Sequence, residues 1–397
     1  MQLSKLFLLT NNYPYGKGET FIENEINILA QNFEKIYIIS LNSRDLKERE
    51  VPNNVVVKRI KLKSFKNILS SFFSIFIDIN YFKRFDIRII DLKEIIIFRY
   101  ISKILEKTII EIIKKEKYLA NDICVYSYWF KSGAHAASVL KKKKIVLRAI
   151  TRAHRYDLYE DEKFKSLKEE VLENIDCVYS CSLDGEEYLK ELYMKKNIKT
   201  SYLGTINFEN FKLKEKSLKI VSCSNLISLK RVELIIAALE EVEKKYKNLT
   251  WIHFGSGKQE KNLKELSENK LKDIKYEFKG HISNKELLEY YKNNDILFFI
   301  HLSSSEGLPV SMMEVQSYGV PIIATNVGGV KEIVNNKTGI LLSDNPTISE
   351  ITKAIESMIN CSKERYIEYQ INSYNNWKEK FDAIKNYNDF IKEIKKC

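Results

Sequence analysis

The sequence is short of the residues that break or cross-link a chain. It has only 5 Pro and 13 Gly in 397 residues, which excludes long disordered or collagen-like segments. Its 6 Cys are Cys124, Cys177, Cys181, Cys223, Cys361 and Cys397. They form no C-x-x-C pair and no His-spaced set, so neither a zinc module nor a disulfide scaffold is expected, and a reduced cytoplasm fits best. Cys177 and Cys181 flank Val178–Ser180, which reads as a strand, so they belong to a core. The 5 His include no H-x-x-x-H or H-E-x-x-H spacing, so no metal site is expected. Long apolar runs are also missing. Leu6–Leu9 is too short for a signal h-region, and Ile68–Phe82 is broken by Asp78 below spanning length. The expectation is a chain that touches a membrane at most.

What is present describes an ordinary globular protein: 44% hydrophobic and 30% charged residues, with a formal net charge of +12. The length suggests two or three domains. The positive charge is uneven. Residues 51–120 carry fifteen Lys/Arg against seven Asp/Glu, interleaved with Ile and Phe. That stretch reads either as an anionic-membrane contact or as a solvated helix face. Nucleic acid is disfavoured, because no matching motif accompanies it.

Apolar runs alternate with helical patterns along the chain. In the first half, strands are expected at Leu6–Thr10, Lys35–Ser40, Val55–Ile60, Ile123–Ser127, Lys144–Ile150 and Cys177–Cys181. Ser64–Lys117 reads as two or three amphipathic helices, clearest over Leu92–Lys115. Asn210–Ser217 is short, charged and aperiodic, as a linker would be. The alternation then restarts at Lys219–Cys223 and continues through strands at Thr250–Phe254, Lys275–Phe278, Ile296–Ile300 and Val320–Ala324. Ser373–Lys396 reads as one long amphipathic helix carrying Trp377, Phe381 and Phe390. The fold class is α/β with two Rossmann-like domains.

The densest motif is SSSEGLPVSMMEVQSYGVPIIATNVGGVKEIV, Ser303–Val334. Glu306 lies on a strand-to-helix loop and Glu314 in the helix that Pro309 and Ser311 open and Gly319 ends. Such loops lie at the carboxyl ends of parallel strands, where ligands bind, and a helix N-terminus suits a phosphate. Carboxylates grip paired hydroxyls, so one glutamate for a sugar and one for a ribose is the economical reading. They are poor candidates for a glycosidase pair, which must flank one bond. The bland alternative for Glu306 is a helix cap.

Weaker signals surround this motif. Gly16-Lys17-Gly18-Glu19 follows the first strand without the third glycine of a dinucleotide fingerprint. Gly255-Ser256-Gly257-Lys258 resembles the end of a Walker loop, but Ile252 and Gln259 replace its required residues, so a small turn bordering a nucleotide pocket fits, and so does a simple strand–helix turn. His154 follows a strand and therefore lies at a ligand-facing end. Lys230 and Arg231 open a helix where the dipole disfavours cations by about 0.3–1 kcal/mol. An anionic ligand would reverse that cost.

Taken together, these residues resemble the retaining, nucleotide-sugar-dependent glycosyltransferases of family 4, with the GT-B fold and a paired-glutamate signature, of polysaccharide or glycolipid type. The resemblance spans nearly the whole chain. It is strongest in Glu306-Gly307-Leu308-Pro309 through Glu314, YGVPIIATNVGG and Lys331-Glu332. It is weaker at the Gly-x-Gly loop, His154, YLGT (Tyr202–Thr205) and Lys230. It implies two Rossmann-like domains facing across a cleft. Residues 1–210 would take the acceptor and 216–373 the donor, with a C-terminal helix, 374–397, crossing back onto the first domain.

The resemblance also implies roles. Glu306 would hold the transferred sugar, with backbone N–H groups around Gly307, Leu308 and Pro309. Glu314 would bind the ribose, and Lys230 would neutralise the diphosphate. His154 would face the sugar, Gly16 and Gly18 would border the diphosphate, and Gly255 would border the nucleotide. Asn225 stands where relatives commonly carry Arg, and Arg231 would compensate. No cofactor or metal is implied. Expected partners are a nucleotide diphosphate sugar and a lipid-linked or glycan acceptor. The expected location is cytoplasmic, at the inner membrane face. A sugar-nucleotide epimerase or phosphorylase on the same scaffold is one alternative. A non-catalytic basic protein that binds membrane or polyanion is another.

Overall fold

A computed structural model describes residues 3–16, 19, 21–41, 47–60, 89–159, 165–195 and 197–396. The chain forms two compact units. The first is Met1–Cys181, Gly185–Ser201 and Tyr387–Cys397; the second is Ser182–Asp184 and Tyr202–Asn386.

The first unit holds a seven-stranded parallel sheet of β1 (Lys5–Thr10), β2 (Lys35–Ser40), β3 (Val55–Arg59), β4 (Ile123–Ser127), β5 (Arg148–Ala153), β6 (Cys177–Ser180) and β7 (Ile198–Thr200). Their order is β3-β2-β1-β4-β5-β6-β7. The second unit holds a six-stranded parallel sheet of β8 (Lys219–Cys223), β9 (Thr250–Phe254), β10 (Lys275–Gly280), β11 (Phe298–His301), β12 (Ile322–Thr325) and β13 (Gly339–Leu342), in the order β10-β9-β8-β11-β12-β13. Central strands such as KLFLLT and ICVYS are buried on both faces, which is why they read as continuous apolar runs rather than alternating ones. The edge strands β3 and β10 alternate exposed and covered residues and carry Lys58, Lys275 and Lys279, charges that discourage edge pairing.

Each sheet reverses its strand order beside its first strand, between β1 and β4 and between β8 and β11. Ligands of open α/β sheets bind at that switch point, outside the carboxyl ends of the strands. In the second unit the loops there are residues 224–231 and 302–309, which contain Lys230 and Glu306.

Several local expectations change. Lys230 and Arg231 do not open a helix: Ser228–Lys230 is a single 3-10 turn, Arg231 is left-handed (φ 48°), and the helix is Val232–Val242. The fifth strand is Arg148–Ala153 rather than Lys144–Ile150. β7 and β13 were not expected, being three and four residues long, too short for a periodic signal. A single helix, Ile89–Glu116, covers the best-patterned part of the basic stretch; the rest of that expectation, residues 64–88, lies outside the described residues.

The C-terminal helix is two helices, Lys363–Lys380 and Ala383–Lys395. The cause is the YLGT segment. Thr205 donates its N–H to the Phe381 carbonyl (2.9 Å) and accepts that of Ala383 (3.1 Å), so it takes the groups a continuous helix would pair. The Trp377 indole donates to the Thr205 hydroxyl (2.8 Å). A Cβ on Gly204 would lie 2.4 Å from the Ala383 Cα, so only glycine admits this approach.

The expected linker is held against the second unit. Lys214 Nζ donates to the carbonyls of Tyr291, Lys292 and Asn294, and Lys216 Nζ to those of Ile359 and Cys361. These are the orphan carbonyls at the ends of helices Asn284–Asn293 and Ile348–Asn360.

Candidate active site

Glu306 is the focus of the second unit. It is buried, 8% exposed. Its Oε1 accepts from Lys230 Nζ at 2.5 Å and from His301 Nε2 at 2.7 Å. Burial alone would push its carboxyl up, but His301 and Lys230 outweigh that and hold it down at about 2. Glu306 is therefore ionised at neutral pH. Among the described residues no protein group reaches Oε2, which leaves that oxygen to accept from a ligand.

His301 had drawn no attention as a lone histidine. It ends β11, and its Nε2 also lies 2.7 Å from Ser303 Oγ. The same nitrogen serves serine and glutamate, so this is no nucleophile relay; a relay needs the two ring nitrogens to do different jobs.

The loop that carries Glu306 is pinned from below. Arg231 donates to the carbonyls of Leu302 (2.6 Å), Ser303 (3.0 Å) and Asp344 (2.9 Å) and to Asn345 Oδ1 (3.1 Å). Thr325 Oγ1 donates to the Ser303 carbonyl at 2.6 Å, and the Ser304 N–H to the Leu229 carbonyl at 2.9 Å. With its donors engaged on four acceptors, Arg231 ties loop 302–304 to the loop after β13. Asn225 is exposed in the loop after β8.

Glu314 lies in the short helix Val310–Gln316 and is buried. Its Oε1 accepts from Asn284 Nδ2 at 2.6 Å; Asn284 is a second site residue that carried no motif signal. Burial pushes the Glu314 carboxyl up to about 7, with the Asn284 hydrogen bond opposing. The sign of the linkage follows. An acid whose folded pKa is raised binds more proton folded than unfolded between its ordinary 4.5 and 7, so this group's contribution to stability falls as pH rises through that window. Glu314→Gln should therefore melt above the wild type at pH 8, by up to about 3 kcal/mol at about 1.36 kcal/mol per pKa unit. The gain should vanish near pH 4.5. A melting difference that stays flat across pH 5–8 would refute the shift.

Close backbone approach explains the glycines. A Cβ on Gly255 (φ 127°) would lie 2.0 Å from the Ser224 carbonyl oxygen, and one on Gly328 (φ 52°) 2.1 Å from that of Glu306. Gly255 therefore packs the β9 turn onto the Asn225 loop, and Gly328 presses on the backbone of Glu306 itself. Gly307 accepts the Gly329 N–H at 2.9 Å; Leu308 and Pro309 are buried. Glu332, the acid at the end of the motif, accepts from the N–H groups of Leu183 and Asp184 and from the Tyr202 hydroxyl. All its bonds serve the backbone and one tyrosine, so it is structural.

In the first unit His154 follows β5. Its Nε2 bonds the Tyr128 carbonyl (3.1 Å), so that nitrogen carries the proton, and Nδ1 faces Cys181 Sγ (3.4 Å). Its ring packs against Phe21, Tyr128 and Trp129. Burial, then Arg152, lower its pKa to about 3, so the imidazole is neutral. Gly16 (φ 67°) lines a cavity of about 1010 Å³ with Tyr13, Glu23 and Arg49. Gly18 lies outside the described residues. The loop is organised instead by buried Glu19, whose carboxylate accepts the N–H groups of Asn11, Asn12 and Tyr13 at 2.5–3.1 Å and the Trp129 indole.

With this geometry in view, the fold is that of the GT-B glycosyltransferases. Residues 205–376, most of the second unit, match the family model of Glycosyl transferases group 1. An uncharacterized glycosyltransferase of Haemophilus influenzae is 31% identical over 158 residues, 40% of this chain and 43% of that protein. The chain spans under half the length of the curated relatives it matches. Over 98% of both chains the structure resembles sucrose-phosphate synthase of Thermosynechococcus elongatus, with a TM-score of 0.72 and 14% identity. It also resembles Anabaena HepE in complex with UDP and glucose, with a TM-score of 0.65 and 13% identity, covering 98% of this chain and 99% of that one. At such identities the likeness shows the fold. The resemblance in sequence to glycosyltransferases covers residues 205–376 in the family model.

Proposed function

We propose that this protein is a retaining glycosyltransferase of the family 4 type, with the paired-glutamate signature. It moves a sugar from a nucleotide diphosphate to a hydroxyl of a lipid-linked or growing glycan acceptor, in surface polysaccharide or glycolipid synthesis. The observation that carries the reading is the Lys230–Glu306 pair at the switch point of the second sheet. It joins a mobile cation suited to a diphosphate with an ionised carboxylate that has one oxygen available to hydroxyls.

Glu306 holds the sugar, with the N–H groups of Gly307 and Leu308. Lys230 neutralises the departing diphosphate, Glu314 binds the ribose beside Asn284, and Asn225 and Gly255 border the nucleotide. Arg231 serves by fixing the loop of Glu306. The first unit takes the acceptor, with His154 as a neutral group and Gly16 beside its cavity. No carboxylate is placed as a covalent nucleophile. A front-face route fits, in which a leaving phosphate oxygen takes the acceptor's proton, and catalysis rests on positioning and charge stabilisation. Lys230 supplies the positive charge, so transfer survives a chelator. The basic stretch 51–120 supports a place on an anionic cytoplasmic membrane face. No described helix is long and apolar enough to cross a membrane.

The test is a thermal-shift screen against a panel of nucleotide sugars, followed by transfer assays in EDTA. A donor at a hundredfold its Kd should stabilise by about 2.7 kcal/mol, and turnover should require an acceptor. Donor turnover without acceptor would mark an epimerase or phosphorylase instead. Vesicle binding with no nucleotide-sugar binding would mark a non-catalytic membrane protein.

A further inference from the structure

Lys230 and His301 converge on the same oxygen of Glu306, yet they are held very differently. Lys230 is half-buried, lies in a single 3-10 turn, and has Glu306 as its partner through a flexible four-carbon stem. His301 is buried at the end of β11, in register with Ala324 of β12, with its ring parallel to that of Phe299. A carboxylate only accepts hydrogen bonds. The His301 Nε2 that bonds Glu306 therefore carries the proton, with Ser303 Oγ sharing it. The imidazole cannot leave without breaking the strand end, whereas the ammonium can swing.

A diphosphate brought to Lys230 offers a denser negative charge than a carboxylate that already has a second partner. We infer that His301 is a positioning residue: it keeps Glu306 oriented toward the sugar hydroxyls when Lys230 leaves Glu306 for the diphosphate. This rests on the reading of the site as a nucleotide-sugar site. In that division of labour Lys230 answers to the diphosphate, and His301 to the sugar by way of Glu306. The two residues should then be separable by ligand.

Calorimetry on the full chain would use UDP against UDP-glucose and GDP against GDP-mannose, taking whichever pair the wild type binds. His301→Leu should leave affinity for the nucleoside diphosphate within about twofold and weaken the nucleotide sugar by about ten- to hundredfold, the worth of one hydrogen bond to a charged group. Lys230→Met should weaken the nucleoside diphosphate itself. His301→Gln, whose amide N–H reaches about as far as Nε2, should restore most of the sugar-dependent affinity. If the leucine variant melts far below the wild type, His301→Asn replaces it; its shorter amide should show the same split. Loss of both ligands in equal measure, or an unchanged nucleotide-sugar affinity, would overturn the inference and leave the functional reading standing. A wild type that binds no nucleotide sugar and no nucleoside diphosphate of the screened panel would overturn both.

Discussion

Replacing Glu306 by alanine should cut glycosyl transfer by about a thousandfold, the scale at which losing a preorganised polar contact in a closed site acts, and should lower the melting temperature by less than the loss of its partner Lys230 does. The second half of that outcome is specific to this geometry. Glu306 is an ionised carboxylate with 8% exposure, and His301 and Lys230 more than offset its desolvation. Its removal leaves Lys230, which can turn to solvent, and His301, which keeps Ser303 Oγ as a partner. Lys230→Ala should lose a comparable share of activity but should also destabilise, because Glu306 stays buried with His301 as its remaining donor. Breaking a buried pair from one side commonly costs about 3–5 kcal/mol; with Lys230 half-buried, the lower end or less is expected. Transfer rates and melting curves of the two variants decide it. Equal melting temperatures, or full activity in either variant, would sink the assignment.

Arg152→Met should be the most damaging single change to stability. Arg152 and Glu25 are both fully buried in the first unit, 3.3 Å apart. The guanidinium also donates to the Tyr126 hydroxyl (2.7 Å) and the Ser201 carbonyl (2.7 Å), and Tyr126 donates to Glu25 (3.0 Å). Removing the arginine leaves a carboxylate with one hydroxyl and a carbonyl with no donor, at a cost of about 3–5 kcal/mol. Glu25→Leu combined with Arg152→Met should recover most of that loss, because an apolar pair of similar volume replaces the ion pair. Denaturant titration of the first unit's transition measures both. A single variant within about 1 kcal/mol of wild type, or a double no better than the single, would show that the network is not strongly coupled.

What the sequence disclosed follows from periodicity. Parallel strands buried on both faces leave continuous apolar runs, so β1, β2, β4, β8 and β9 could be read almost to the residue. Glu306 and Glu314 stand out as candidates because glycines and a proline frame them. His301 was not, since a histidine at a strand end has no neighbour in sequence to mark it; its meaning comes from Glu306 five residues later, folded back over it. Asn284 belongs to a helix thirty residues from its partner Glu314. Arg152 was overlooked beside His154, although the arginine is the more deeply buried of the two. The break at Phe381 could not be seen because its cause, Gly204-Thr205, lies far upstream in the sequence, 172 residues before Trp377 in the case of Thr205.

The interruption of the last helix bears on the order in which the protein can be built on the ribosome. Residues 387–396 belong to the first unit, where Phe390 packs on Tyr126 (5.3 Å) and Tyr179 (5.0 Å) with the Arg152 guanidinium over its ring (4.6 Å). They are synthesised only after every residue of the second unit. The usual N-terminal-first schedule of folding cannot complete the first unit of this chain early. Its buried arginine and tyrosines stay uncovered until residues 387–396 emerge.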